Sequence, residues 1–271
     1  MTAVAKNQLP IRAHAPPVGF IETPTARKMI FQAEFCRDLG EMGVIVGAPG
    51  TGKTATCRHL RDTRGFRMLT LAPNNCRLRS ALTHILEALT GYVPSEYATR
   101  NRGYFIDSFV RELVEWDRKT VLMVDEAQHA NAELLEYLRS LSDSSVGDDR
   151  LPHLGILLLG NETVLNRMYE DGPNRRNVRP EFAHIVSRFG LRPLEFEAAE
   201  DGDVIAICVH WGVTDPADQG FLIDISRGGG GLRAVGKVLS MAFDMAEGGK
   251  IDTAALRHAA AFRGVTPRGE S

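Results

Sequence analysis

Long hydrophobic runs are absent from this 271-residue sequence, and its strongest apolar segment, residues 154–159, is interrupted by Gly155. A helix needs about 20 consecutive apolar residues to cross a bilayer, so we predict no membrane-spanning segment. Residues 1–17 contain three prolines and lack the apolar core that a secretory signal requires. The sequence therefore predicts a cytoplasmic protein with no membrane partner.

Cysteine is scarce and the net charge is low. The four cysteines, Cys36, Cys57, Cys76 and Cys208, form no C-x-x-C pair and have no histidine at metal-ligand spacing. We therefore interpret them as buried small hydrophobic residues. Lysine and arginine number 32 against 34 acidic residues, for a formal net charge of -2. This balance excludes a general polycation, so any contact with nucleic acid must come from a local basic patch.

Short apolar runs alternate with segments of helical periodicity through the longer, N-terminal part of the chain. The runs cover residues 44–46, 68–71, 121–124, 156–159 and 191–196, and the helical segments include 25–39, 78–89, 105–116 and 132–141. Strands that alternate with helices of this length indicate βαβ units and a mostly parallel sheet covered by helices on both faces. We therefore predict an α/β fold.

After residue 196 the pattern changes to an acidic stretch followed by helical periodicity alone. The candidate helices cover residues 204–211, 218–225, 232–245 and 253–262. We predict a boundary near residue 197, between an α/β domain over residues 19–196 and a small helical domain over residues 197–263. Residues 1–18 are predicted to form a flexible arm, and residues 264–271 a disordered tail.

The strongest motif lies between the first predicted strand and a helical segment. Its residues fit the pattern G-x-x-x-x-G-K-[ST]: Gly47, Ala48, Pro49, Gly50, Thr51, Gly52, Lys53 and Thr54. In such a P-loop the backbone N–H groups surround phosphates at a helix N-terminus. We expect Lys53 to reach the β- and γ-phosphates and Thr54 to coordinate Mg²⁺. The motif predicts ATP binding by the α/β domain.

Polar residues follow two of the other predicted strands. Asp125 and Glu126 come directly after the run 121–124; we expect Asp125 to hold the Mg²⁺ shell and Glu126 to activate the attacking water. A metabolite kinase would not need Glu126, because its own substrate supplies the nucleophile, so hydrolysis is the better prediction. Asn161 follows the run 156–159 and is predicted to orient water or contact the γ-phosphate, although Gly-Asn by itself is more often a turn.

These motifs together resemble the AAA+ ATPases, with residues 47–54 as Walker A, 121–126 as Walker B, Asn161 as sensor 1 and Arg233 as sensor 2. The sequence is further similar to the transposition-regulator ATPases typified by the B protein of phage Mu. That similarity lies in Asp-Glu-Ala-Gln-His at 125–129, Leu-Leu-Gly-Asn at 158–161 and Ser-Arg-Phe at 187–189. Bacterial secretion-system ATPases share the Asp-Glu-Ala-Gln segment.

The resemblance implies a five-stranded core with a helical lid, and homo-oligomers or helical filaments whose active sites are completed by a neighbouring subunit. Arg188 matches the position of the arginine finger that acts in trans, although Arg175, Arg176 and Arg179 lie upstream and compete for that role. Arg233, at the start of a lid helix, matches the sensor of nucleotide. The glycines at 228–231 fit either a hinge before that helix or a loose turn.

The Mu-type protein carries a helix-turn-helix domain ahead of its ATPase core, whereas only about 20 proline-rich residues stand there in this sequence. We therefore expect the ATPase domain itself to contact duplex DNA, without sequence specificity. By analogy with the family's pore-lining loops, the candidate DNA-binding residues are Asn75, Arg77, Arg79, Arg100 and Arg102. Surface arginines are common, and these positions fit a solvated surface as well.

The sequence thus predicts an ATPase that polymerises on duplex DNA in ATP, recruits and stimulates a transposase, and disassembles on hydrolysis. A membrane-complex ATPase of the secretion type is an alternative, but it normally needs a transmembrane segment or a cell-wall-binding extension. A replication initiator or helicase loader is another, but it usually adds a winged-helix domain after the lid, and the sequence ends before one. A small-molecule kinase is disfavoured by Glu126 and Arg188.

Overall fold

The computed structural model describes residues 19–74, 77–91, 102–115, 117–144, 153–170, 176–246 and 250–265, without the side chains of Arg79, Arg102 and Phe105. These residues divide into two units. One runs from Pro24 to Ala198, and the other comprises residues 19–23 and 199–265. Residues 1–18 and 266–271, which contain the predicted arm and most of the predicted tail, lie outside the described residues, and so does Cys76.

Five parallel strands form the sheet of the first unit, in the order β2-β3-β4-β1-β5. The strands are β1 (Met42–Gly47), β2 (Arg67–Thr70), β3 (Thr120–Asp125), β4 (Leu154–Gly160) and β5 (Leu194–Phe196). β1, β3 and β4 are buried along their whole length, as expected of a parallel sheet covered on both faces. The prediction of an α/β fold with a parallel sheet is confirmed. β5 is shorter than predicted and begins after Pro193, which has no N–H to donate.

Helices cover both faces of this sheet. They are α1 (Pro24–Leu39), α2 (Lys53–Arg64), α3 (Leu78–Thr90), α4 (Arg102–Glu115), α5 (Ala132–Ser144), α6 (Thr163–Met168) and α7 (Ala183–Val186). The described residues also include two short 3₁₀ turns, Ala127–His129 and Pro180–Phe182. Alternate strand residues point to opposite faces. Val121 and Met123 pack with α1 and α2, whereas Leu122 and Val124 pack with α3, α4 and α5.

α1 packs closely on the sheet because glycines face it. A Cβ atom on Gly155 would lie 2.2 Å from the carbonyl oxygen of Cys36, so a larger residue there would displace the helix. The thiols of Cys36, Cys57 and Cys208 are buried, which confirms their interpretation as small core residues. Burial raises the pKa of the Cys36 thiol to about 12.

The described part of the second unit is helical and has a core of its own. Its helices are α8 (Asp201–His210), α9 (Pro216–Arg227), α10 (Gly231–Met245) and α11 (Thr253–Phe262). The Asp215 and Asp252 carboxylates cap α9 and α11 by accepting from backbone N–H groups. The helical region predicted after the sheet is thereby confirmed, while the exact domain limits stay a prediction. Among the residues described, no helix has the length and apolar character to span a membrane.

Candidate nucleotide-binding site

The loop between β1 and α2 is a tight turn that ends at a helix N-terminus. Gly50 and Gly52 have φ values of 86° and 91°, in the left-handed region where glycine carries no Cβ penalty. The N–H of Ala48 donates to the carbonyl of Phe196 at 3.0 Å, and a Cβ on Gly47 would lie 2.9 Å from that same oxygen. The end of β5 therefore holds this loop in place, and α2 begins at Lys53.

The Lys53 ammonium lies within the loop and bonds to its backbone. Its Nζ donates to the carbonyl oxygens of Gly47 at 2.7 Å and Ala48 at 3.0 Å. Burial lowers the pKa of Lys53, while attraction to Asp125 and Glu126 opposes that shift. An anion bound in the loop would favour the charged ammonium. This environment therefore fits a phosphate ligand.

Thr54 and Asp125 meet across the end of the sheet. The Thr54 hydroxyl donates to Oδ2 of Asp125 at 2.8 Å, and the backbone N–H of Glu126 donates to Oδ1 at 3.1 Å. Asp125 is only 3% exposed. Desolvation raises the pKa of its carboxyl, against the effect of the hydrogen bond from Thr54. A buried carboxylate beside a hydroxyl is a donor set that suits a hard cation such as Mg²⁺, so the residues present fit that ion.

Glu126 has an unusual backbone for a residue with a side chain. Its φ of 58° and ψ of 38° lie in the left-handed region, which few non-glycine residues adopt and which is enriched at functional sites. The turn directs the chain from β3 into the 3₁₀ helix that contains Gln128. The Glu126 residue is exposed, and its Oε2 accepts a hydrogen bond from Nε2 of Gln128.

Asn161 follows β4, which lies between β3 and β1 in the sheet. Its Oδ1 accepts from the N–H of Thr163 at 3.0 Å, which is the turn role that the Gly-Asn pair allowed. Its backbone N–H donates to Oε1 of Gln128 at 3.3 Å. Gln128 thus contacts both Glu126 and Asn161, and we did not single it out from the sequence.

The predicted arginine finger lies after α7. Arg188 is exposed over 53% of its side chain, and its Nη2 forms an ion pair with Oδ1 of Asp143 at 3.1 Å. Its backbone carbonyl accepts from the N–H of Met42 at 3.0 Å, so the main chain at Arg188 is fixed to β1. Of the competing arginines, Arg176 is exposed, Arg179 is half-buried and Arg175 lies outside the described residues.

Arg233 lies in the second unit, near the N-terminus of α10, and is exposed. The three glycines at 229–231 all have positive φ values before that helix. Such a run is strongly disfavoured for residues with a Cβ, so the glycines are required by this turn.

The structure describes only part of the predicted DNA-binding set. Arg77 is exposed at the N-terminus of α3. Arg79 and Arg102 contribute backbone to α3 and α4, but their side chains are outside the described atoms. Asn75 and Arg100 lie outside the described residues altogether.

Comparison with protein families finds two matches, one after the other along the chain. Residues 37–168 match the AAA domain family, and residues 187–264 match the family described as Mu B transposition protein, C terminal. The first match contains the Lys53 loop, Asp125, Glu126 and Asn161, whereas the second contains Arg188 and Arg233.

Similar proteins include the ATP-dependent target DNA activator B of Escherichia phage Mu. It is 29% identical over 233 residues, which are 86% of this chain and 69% of that protein. The Mu-like prophage FluMu DNA transposition protein B of Haemophilus influenzae is 26% identical over 232 residues, 84% of this chain and 74% of that protein.

Solved structures share the fold at low sequence identity. The ORC2 protein of Aeropyrum pernix has a TM-score of 0.60 at 20% identity, over 93% of this chain and 70% of that one. The RuvB Holliday junction branch migration motor of Thermotoga maritima has a TM-score of 0.52 at 14% identity, over 88% of this chain and 68% of that one. At these identities the likeness establishes the AAA+ fold alone.

Proposed function

Because the chain belongs to the family of AAA domain proteins with a Mu B C-terminal domain, we propose that it is an ATP-dependent target DNA activator for transposition. It binds duplex DNA without sequence specificity, polymerises there as a homo-oligomer or helical filament, and recruits and stimulates a transposase. Chemically it is an ATP hydrolase, and its output is assembly and disassembly of the polymer. The observation that carries the proposal is the succession of the two family matches in one chain.

ATP binds to the loop formed by residues 47–54. Its phosphates take the place of the Gly47 and Ala48 carbonyls as partners of the Lys53 ammonium. Thr54 and Asp125 would hold Mg²⁺, directly or through water, and the bound ion would supply positive charge for the phosphates of ATP. The 2.8 Å bond between these two side chains supports their assignment to one ion.

Hydrolysis requires a base, a group that orients water and a source of positive charge. Glu126 is the base, since it is an exposed acidic residue that directly follows Asp125 at the end of β3 and its backbone N–H donates to the Asp125 carboxylate. Asn161 orients the water or contacts the γ-phosphate through Nδ2, because its Oδ1 is occupied by the N–H of Thr163. Arg188 enters the site of a neighbouring subunit, and Arg233 senses the nucleotide from the helical domain.

DNA binding depends on polymerisation. With a formal net charge of -2, a single subunit has no general attraction to DNA, but a local patch repeated by each subunit multiplies a weak phosphate contact. Arg77, exposed at the start of α3, supports this patch. The other proposed residues of the basic patch are Asn75, Arg79, Arg100 and Arg102.

Electron microscopy of the protein with random-sequence duplex tests this proposal. We expect protein-coated DNA with Mg²⁺ and ATP, and bare DNA with ADP or without nucleotide. Addition of the cognate transposase to the coated DNA should raise strand transfer into it. Protein that never coats DNA in ATP would contradict the proposed function. The likeness to the ORC2 protein concerns the fold and does not favour a replication initiator.

A further inference from the structure

We propose that Gln128 is a positioning residue of the hydrolytic site, which acts by holding the Glu126 carboxylate. The inference rests on the proposed ATP hydrolysis and adds a residue that neither the nucleotide loop nor the strand-end carboxylates include. It follows from the hydrogen bonds of the Gln128 side-chain amide, whose nitrogen donates to Glu126 and whose oxygen accepts from Asn161.

The two ends of the Gln128 amide have different partners. Nε2 donates to Oε2 of Glu126, and Oε1 accepts from the backbone N–H of Asn161 at 3.3 Å. The amide therefore links the end of β3 to the end of the neighbouring strand β4. Glutamine can make both bonds because its amide has a donor and an acceptor, whereas glutamate at this position has no donor when ionised.

Gln128 is itself fixed from both sides. Its backbone carbonyl accepts from Nη1 of Arg167 at 3.1 Å, and Arg167 also donates to the carbonyl of Ala130. A Cβ atom on Gly160 would lie 2.6 Å from Oε1 of Gln128, so the glycine at the end of β4 makes room for this amide. The side chain is thus held in one place by elements of the fold.

Glu126 needs such a restraint. It is exposed, and a free carboxylate on an exposed side chain samples several rotamers. A bond from Gln128 to Oε2 leaves Oε1 free to accept a proton from the attacking water. The bond from the Asn161 N–H anchors the same amide at the end of β4, so the Glu126 carboxylate keeps a constant position relative to that strand when water is bound.

Two substitutions separate the bonds. Gln128→Leu removes both, whereas Gln128→Glu keeps an acceptor for Asn161 but replaces the donor by a charge that repels Glu126. The matched control is Gln219→Leu, which removes a half-buried glutamine whose Nε2 donates to the carbonyl of Val213 in the other unit. ATP turnover, nucleotide affinity and melting temperature are measured for each purified full-length variant.

We expect kcat to fall about tenfold in Gln128→Leu and at least as far in Gln128→Glu, part of the contribution of a well-placed base. KM for ATP, nucleotide affinity and the melting temperature should stay close to wild type, and Gln219→Leu should turn over ATP normally. In a Glu126→Gln background, Gln128→Leu should cause no further loss in single-turnover assays, because the carboxylate through which it acts is gone.

Unchanged or faster turnover in both Gln128 variants would overturn the inference, and so would a full additional loss in the Glu126→Gln background. Equal losses of nucleotide affinity and kcat would assign Gln128 to the fold of the loop and would overturn it as well. Absence of ATP hydrolysis by the wild-type protein would instead refute the proposed function, so the two failures are distinguishable.

Discussion

The Thr54 hydroxyl and the Asp125 carboxylate are joined by a 2.8 Å hydrogen bond although they lie 71 residues apart in the sequence. Thr54 follows β1 and Asp125 ends β3, and β4 lies between these two strands in the sheet. The bond therefore lies at the carboxyl ends of the strands, the edge at which parallel sheets bind ligands. Asp125 is buried there, where its charge is costly unless a cation neutralises it.

Replacement of Asp125 by Asn should stabilise the nucleotide-free protein at neutral pH. The pKa of Asp125 is raised in the folded protein by desolvation, so its ionised form opposes folding above that pKa. Asparagine removes the charge and can still accept from the N–H of Glu126 and donate to the Thr54 hydroxyl. We expect the variant to have a higher melting temperature than wild type in the absence of Mg²⁺. This difference in melting temperature should narrow as the pH falls through the raised pKa of Asp125. Mg²⁺ and ATP should no longer stabilise the variant.

Asp62→Asn is the control for this change, because Asp62 is exposed on α2 and paired with Arg61. Its pKa is lowered by the hydrogen bond from Arg61, so its removal should not raise the melting temperature. An Asp125→Asn protein that is less stable than wild type would contradict the cost of burying the Asp125 charge. A variant that retains full stabilisation by Mg²⁺ and ATP would refute the metal role.

Lys53→Ala should weaken ATP binding strongly while the fold persists. The Lys53 ammonium bonds to backbone carbonyls of its own loop, so its loss removes a phosphate partner without breaking a bond to another element of the fold. Charged hydrogen bonds contribute about 1.5–3 kcal/mol, which corresponds to a loss of about 10- to 150-fold in affinity. Fluorescent nucleotide binding and circular dichroism measure the two effects.

The control is Lys119→Ala, which removes a lysine that also donates to a backbone carbonyl, that of Asp38. Lys119 lies away from the loop, at the start of β3, and its variant should bind ATP normally. Equal nucleotide affinity in Lys53→Ala and wild type would rule out the loop as the ATP site.

Glu126→Gln should uncouple binding from hydrolysis. The amide keeps the shape of the carboxylate but cannot take a proton from water, so turnover should fall by about 100-fold or more. Nucleotide affinity should be retained because Lys53, Thr54 and Asp125 are unchanged. DNA-bound polymer should therefore accumulate in ATP, as measured by sedimentation with duplex. Normal turnover in Glu126→Gln would exclude Glu126 as the base.

Arg188→Ala subunits should recover turnover when they are mixed with Lys53→Ala subunits. Each variant alone is expected to be inactive, but a mixed interface combines an intact loop with an intact finger. Within one subunit Arg188 is paired with Asp143 at 3.1 Å, and this exposed pair is weak enough to exchange for a phosphate. Arg192→Ala, which removes another exposed arginine before β5, should remain active by itself.

The mixing experiment is read as ATP turnover across a range of ratios, with mixed assembly verified by crosslinking. If crosslinked mixtures stay inactive at every ratio, Arg188 does not act in trans, and the candidates become Arg175, Arg176 and Arg179.

Sequence patterns predicted the sheet well because its strands are local features. β1, β3 and β4 are fully buried apolar runs. Such a run can be recognised as a strand from its own residues, without knowing which strands pair with it. α6 and α7 were not predicted, since helices of 6 and 4 residues are too short to establish a period. The predicted start of β5 was too early, because an apolar pattern does not show that Pro193 lacks the N–H needed for a strand hydrogen bond.

The candidate site divides in the same way. Two contiguous motifs are enough to predict four of its residues, Lys53, Thr54, Asp125 and Glu126. The hydrogen bond between Thr54 and Asp125 brings these two motifs together. The contacts of Gln128 with Asn161 and of Arg188 with Asp143 join segments far apart in the chain. No local pattern encodes such pairs, because they depend on which strand ends become neighbours in the sheet.

The central claim is that ATP drives the protein onto duplex DNA through phosphate contacts made by its basic patch. The direct measurement is the affinity for a random-sequence duplex at several salt concentrations, with ATP, with ADP and without nucleotide. We predict that the protein binds the duplex with ATP but not with ADP or without nucleotide. In ATP, the logarithm of the affinity should fall by about 0.9 per log unit of salt concentration for each phosphate neutralised. The joint Arg77→Ala and Arg79→Ala variant should bind duplex much more weakly and with a flatter slope while it still binds ATP, whereas Arg192→Ala should match wild type. Failure of the wild-type protein to bind duplex in ATP even at low salt would contradict the account.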